Sequence, residues 1–173
     1  MIPASIAIDI DEVLSMTTLH WMNIMHEKFD FLEKMRVDNR FYENIPVIED
    51  SILALNDINK TMHLSCYLTT RSEAVRSGTK KWRAKNNFPN ARIIMKPDVI
   101  SSRDGNKWKA EVLQSLYPQT IGVIDDNPGL LDFISDNYKG VVFLYGVDSF
   151  KERNIKVIPC KDWKTILIKI KNF

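Results

Sequence analysis

The chain has no membrane-length apolar run: nowhere do roughly 18 or more hydrophobic residues follow one another, so no helical span is expected. Cysteine is scarce. Cys66 lies in an apolar run and Cys160 follows Pro159; the pair makes neither a metal-ligand spacing nor a disulfide framework, so both read as free thiols. Strong charge of one sign is also missing. The 24 Lys and Arg against 22 Asp and Glu leave a net charge of +2, without the concentrated basic face of a dedicated nucleic-acid binder. No basic segment, apolar stretch or cleavage site precedes the first strand, so a soluble, cytoplasmic protein with no membrane partner is expected. Repeats, linkers and low-complexity stretches are absent, and 173 residues suffice for one core with a small insertion.

What the chain does have is organised around Ile6 to Leu14, IAIDIDEVL. A run of strand composition ends in Asp9 and Asp11, two carboxylates able to sit at one strand's C-terminal mouth. Asp is common in turns that follow strands. Two acids at a buried strand end, however, need a cation or a partner, because an uncompensated carboxylate costs several kcal/mol to desolvate.

From Leu19 to Leu32 apolar residues recur at steps of three and four (Leu19, Met22, Met25, Phe29, Leu32), which predicts an amphipathic helix. This segment interrupts the expected step from strand to helix, so residues 15–44 read as a small helical cap placed over the mouth that carries Asp9, and residues 1–14 and 45–173 as the core. Trp21, Met25 and Phe29 suit core packing within the cap or a base-stacking wall beneath it. His20 and His26 read as surface or packed histidines, and His63 as structural.

A crossover helix follows from Ile48 to Asn59, then a strand from Met62 to Leu68 ending in Thr69, Thr70 and Arg71. Ser72 caps a helix carrying Val75, Thr79 and Trp82. A third strand runs from Ala91 to Met95, and a helix bearing Trp108, Val112, Leu113 and Leu116 stops at Pro118. TIGVIDD supplies a fourth strand ending in Asp125 and Asp126, after which Asn127 and Pro128 open a helix with Leu131 and Ile134. Val141 to Tyr145 is a fifth strand and KVIPC a short sixth. The tail from Asp162 to Lys171 suits a helix better than a strand. Alternating strands and helices give an α/β fold, a Rossmann-like parallel sheet with helices on both faces.

In such sheets ligands bind beyond the carboxyl ends of the strands. Asp9, Asp11, Thr69, Thr70, Arg71, Asp125 and Asp126 all fall there, with Lys107 and Lys109 opening the helix before strand four. These residue types suit phosphoryl transfer, in which catalysis is positioning plus countercharge. Asp9 would attack phosphorus and form an aspartyl-phosphate; Asp11 would protonate the leaving oxygen and then deprotonate water. Asp9, the Asp11 backbone carbonyl and a carboxylate of Asp125 or Asp126 would hold Mg²⁺. Thr69 would hold phosphate oxygens and a lysine would offset the shared charge. Thr70 and Arg71 are candidate substrate contacts, a structural salt bridge being the alternative for Arg71.

On these residues the chain resembles the haloacid dehalogenase (HAD) superfamily of phosphohydrolases. Asp9-Ile10-Asp11-Glu12-Val13 matches its first motif, Thr69 its second, Lys109 its third with Lys107 as competitor, and Asp125-Asp126 its fourth, Asp126 being favoured as the direct metal ligand. The resemblance implies Mg²⁺ dependence, double-displacement chemistry and a specificity cap after the first motif. A nucleoside monophosphate ranks first as substrate; a nucleic-acid 3′ end and a sugar phosphate follow. A receiver domain fails on the order of its residues along the chain, and a non-catalytic phospholigand-binding module is the reading from another class.

Overall fold

The computed structural model describes residues 4–25 and 37–173, with Met25 described by its backbone alone. Six strands form one sheet: β1 (Ser5–Ile8), β2 (His63–Ser72), β3 (Arg92–Lys96), β4 (Thr120–Asp125), β5 (Val141–Tyr145) and β6 (Lys156–Cys160). Their spatial order is β3-β2-β1-β4-β5-β6, and every pairing is parallel. The helices are α1 (Thr17–Met25), α2 (Asn39–Glu43), α3 (Ser51–Thr61), α4 (Arg76–Lys85), α5 (Gly105–Leu116) and α6 (Trp163–Lys171).

Strands with both faces covered read as continuous apolar runs. In β1, Ile6, Ala7 and Ile8 are all fully buried. The period of two then sorts them: Ile6 and Ile8 join Leu55, Trp82, Trp163 and Ile166 on one face, whereas Ala7 joins Leu68, Leu113 and Val123 on the other. The first face is covered by α3, α4 and α6, the second by α5 and the 3₁₀ turn after β4. The α/β architecture expected from the sequence is thus the one observed.

Several elements differ in extent from expectation. β2 runs on through Thr69, Thr70 and Arg71 to Ser72, with its register against β3 shifting between Thr69 and Ser72. The strand continues because Lys96, one residue beyond the expected end of β3, pairs with Ser72. Ser72 caps a 3₁₀ turn, Glu73–Val75, before α4 begins. Asn127 accepts a hydrogen bond from the Gly129 N–H, but the segment it opens, Pro128–Phe133, is 3₁₀ rather than α-helical. The tail is helical, opened by Asp162 accepting from the Thr165 N–H at 2.7 Å.

Of the expected cap helix the described part is Thr17–Met25; residues 26–36, with His26 and Phe29, lie outside the described residues. The chain on either side of residues 15–44 is tied down by two buried indoles. Trp163 donates to the Val13 carbonyl at 3.1 Å and Trp82 to the Ile45 carbonyl at 2.8 Å. Helix α2 docks on α4 at Gly78, whose N–H donates to the Asn39 side chain at 2.6 Å. That N–H belongs to the first turn of α4, where backbone donors have no intrahelical acceptor. A Cβ on residue 78 would lie 2.1 Å from the Asn39 carbonyl oxygen. Gly78→Ala is therefore expected to destabilise the protein by about 1–3 kcal/mol, as overpacking does, despite alanine's better helix propensity; urea denaturation would check this, and an unchanged midpoint would show that α2 can shift freely.

Candidate functional site

Strand order reverses direction at β1: β2 and β3 lie on one side of it, β4 to β6 on the other. This is the switch point where parallel sheets open a crevice at the carboxyl ends of their strands. Asp9 follows β1 there, with its N–H donating to the Ile124 carbonyl at 2.9 Å, so the backbone ladder itself fixes the carboxylate beside the end of β4. Asp125 ends β4 and is fully buried, one oxygen accepting from the Asn127 N–H at 2.9 Å. A carboxylate oxygen from each of Asp9, Asp125 and Asp126 lies within 4.8 Å of the others.

Lys109 stands inside this group. Its Nζ is 2.8 Å from Asp9 Oδ1 and 2.7 Å from Asp125 Oδ2. The ammonium thus forms an ion pair with each of two buried carboxylates. Burial works against the lysine's charge, yet Asp125 and Asp9 outweigh it and hold the pKa above the ordinary lysine value. Lys107, two residues earlier on α5, is exposed. The 3.6-residue period turns the two in different directions, so the helix delivers only Lys109 to the acids.

A second cluster surrounds Asp11. The Arg71 Nε donates to its oxygens at 2.9 and 3.1 Å and Nη2 donates at 2.7 Å. The remaining donors reach the hydroxyls of Thr79 (3.3 Å), Ser15 (3.0 Å) and Thr17 (3.4 Å). The guanidinium carbon lies 4.9 Å from the Tyr42 ring centre and 5.5 Å from that of Trp82. The Arg71 side chain is 1% exposed and that of Asp11 27%. Burial pushes the Asp11 carboxyl up, but Arg71 and the Thr17 hydroxyl, donating at 2.6 Å, more than offset this and hold it below its ordinary value.

Thr69 is fully buried at the same mouth; its Oγ1 lies 3.4 Å from Asp11 Oδ2 and accepts from the Arg71 N–H at 3.2 Å. Thr70 and Arg71 line a cavity of about 530 Å³ that also borders Asp11, Trp21 and Tyr42. The structure therefore brings Asp9, Lys109, Asp125 and Asp126 into one group and Asp11, Thr69 and Arg71 into an adjoining one. Arg71 points its donors at Asp11, which is the salt-bridge alternative weighed for it, while remaining part of the cavity wall. Ser15, Thr17 and Tyr42 were not singled out from the sequence. Their contacts with Arg71 span tens of residues, and small hydroxyls near an Asp-x-Asp carry no periodic signal.

The charge balance bears on what the first group can hold. Four carboxylates, Asp9, Asp11, Asp125 and Asp126, face two cations, Lys109 and Arg71. Burial and the neighbouring Asp125 push Asp126 up to about 7; burial, against the opposing pull of Lys109, pushes Asp9 well above the ordinary carboxylate value. The donors are all oxygens, the choice of hard divalent cations, and a carboxylate oxygen from each of three residues can be brought to one point, so the residues present fit a metal ion. The pH dependence follows. Asp9 and Asp126 bind protons more tightly folded than unfolded, so metal-free stability falls as pH rises from about 4 through about 7. A cation must displace those protons. The rise in melting temperature produced by a divalent cation is expected to be small at about pH 5 and to grow through about pH 8; equal shifts at both would argue against binding at these carboxylates.

No protein-family model and no curated protein matches the sequence. Among solved structures, the chain is similar to a component of the Pnkp1/Rnl/Hen1 complex, with a TM-score of 0.57 and 16% sequence identity. The match covers 83% of this chain and 45% of that one, so the chain spans under half the length of that neighbour. At that identity the likeness is one of fold, and it is the fold that sets Asp9 at the switch point between β1 and β4.

Proposed function

We propose that the protein is a Mg²⁺-dependent phosphomonoesterase that works through a phosphorylated Asp9. The observation that carries this reading is the meeting of Asp9, Lys109 and the Asp125/Asp126 pair, with Lys109 2.8 Å from Asp9 and 2.7 Å from Asp125, and with Asp11 and Thr69 at the same mouth. Asp9, Asp125 and Asp126 would hold Mg²⁺ with the Asp11 carbonyl, and the ion would supply the positive charge that keeps Asp9 ionised and draws charge from the phosphoryl oxygens.

An Asp9 oxygen attacks phosphorus while the bond to the leaving oxygen breaks; water then cleaves the acyl phosphate, its proton passing to Asp11. With Arg71 holding it ionised, Asp11 is ready as the base of this second step. The first step needs a proton on Asp11. A bound phosphate dianion beside it supplies the like charge that raises its pKa. Lys109 balances the charge shared by Asp9 and phosphate, and the Thr69 hydroxyl is placed for a phosphoryl oxygen.

The substrate we favour is a nucleoside monophosphate, since Trp21 and Tyr42 line the cavity that begins at Asp11. The test is phosphate release from nucleoside monophosphates, sugar phosphates and 3′-phosphorylated oligonucleotides, with Mg²⁺ and with chelator. Release that survives full chelation would refute the metal-dependent reading. Release confined to oligonucleotides would replace the substrate, and binding without turnover would point to a phospholigand-binding module.

A further inference from the structure

The cavity beside Asp11 contains a cation that the chemistry above leaves unused. Lys96 ends β3, is 6% exposed and forms part of the cavity wall. Its ammonium donates to the Ile100 carbonyl at 2.5 Å and reaches the Pro97 carbonyl at 3.4 Å. Among the described residues it enters no ion pair. Asp98, the carboxylate that feels its charge, is held by the Ser72 hydroxyl and the Ala74 N–H.

An ammonium carries three donors, and the two carbonyls that Lys96 meets leave it able to take one more acceptor. A cation taken out of water without a counter-ion is costly, and a ligand that brings an anion would relieve that cost. The cavity is also lined by Trp21 and Met22 from α1, beside Thr17 and Thr18, and by Tyr42 from α2. Its volume, about 530 Å³, falls within the range of small-molecule sites. Asp11, the group that would hand a proton to the leaving oxygen, stands at its edge, so whatever leaves the phosphoryl group must occupy this space.

We infer that the cavity is a leaving-group subsite for a nucleotide carrying a second phosphate group, its ring against Trp21 and that phosphate on Lys96. The inference rests on the phosphomonoesterase reading and adds the substrate's second anion. The competing role for Lys96 is to fasten the loop from Pro97 to Asp104 through the Ile100 carbonyl. A fastener acts on every substrate alike, whereas an anion subsite discriminates between them.

The experiment measures kcat/KM for a nucleoside 3′,5′-bisphosphate, the two matched monophosphates and a dinucleotide bearing a 3′-terminal phosphate. The proteins are the wild type, Lys96→Met and Lys96→Arg. The wild type is expected to favour two-anion substrates by about ten- to a hundred-fold, mostly in KM, the size of a charge-assisted hydrogen bond. Lys96→Met should bring the ratio close to one, and Lys96→Arg should retain most of it. Preference for the bisphosphate identifies a terminal second phosphate; preference for the dinucleotide identifies a bridging diester. A wild type without preference, or a Lys96→Met protein that keeps it, overturns the inference, and the wild-type comparison decides alone if Lys96→Met does not fold. Should no substrate turn over, the phosphatase reading fails separately. Equilibrium binding of bisphosphate against monophosphate, judged by the same ratios, then tests the subsite.

Discussion

Asp9→Asn is expected to lower turnover by at least about 10⁴-fold, the scale seen when a nucleophile is removed, with the protein still folded. The substitution is nearly isosteric and removes a charge that burial already opposes, since Asp9 is pushed well above the ordinary carboxylate value by its surroundings. Its amide still lies beside Lys109, and Lys109 keeps Asp125 at 2.7 Å. Loss of activity should therefore come without loss of fold, and circular dichroism with a melting curve would separate the two. Trapping offers a second measurement: wild-type protein quenched in acid during turnover should carry one phosphoryl group, and Asp9→Asn none. An Asp9→Asn protein with more than about a tenth of wild-type turnover would exclude nucleophilic attack by this residue.

The strand frame was legible because the sheet is covered on both faces. Continuous apolar runs such as Ile6–Ile8 and Val141–Tyr145 have no amphipathic alternative. The position of Asp9 was legible for the same reason, a parallel sheet leaving one rim for ligands. What the sequence could not say depends on contacts across long separations. Whether Arg71 would face substrate or an acid was open because its partner, Asp11, is 60 residues away. The choice between Lys107 and Lys109 needed the rotation of α5 about its axis, which two lysines two apart cannot define. Lys96 went unremarked because one lysine after an apolar strand looks solvated; only the Ile100 carbonyl and the cavity wall show it buried. The 3₁₀ form of Pro128–Phe133 was hidden too, since Asn127 and Pro128 are equally good openings for either helix type.

The largest effect on stability is expected at Asp11 rather than at Asp9. Removing one partner of a buried ion pair leaves the other charge uncompensated, at a cost of about 3–5 kcal/mol. The asymmetry in exposure decides which partner matters: Arg71 is 1% exposed and Asp11 27%. Asp11→Ala strands the guanidinium among Tyr42, Trp82 and three hydroxyls, where ring faces and neutral acceptors replace only part of the carboxylate. Arg71→Met instead leaves a carboxylate that water and Thr17 can still reach, and it should cost less. For a domain of this size the Asp11→Ala loss corresponds to a fall in melting temperature of roughly 6–20 °C. Adding Arg71→Met to Asp11→Ala should restore much of it, because no buried charge is then left alone. The pH dependence has a fixed sign. Asp11's carboxyl is lowered in the folded protein, so the pair's contribution is present above the unfolded value near 4 and fades as pH falls through the folded one. The stability gap between wild type and Asp11→Ala should therefore narrow on acidification below about pH 4. A gap that stays constant to about pH 2, or a double variant less stable than Asp11→Ala, would show that Arg71 is not held in place by the Asp11 charge.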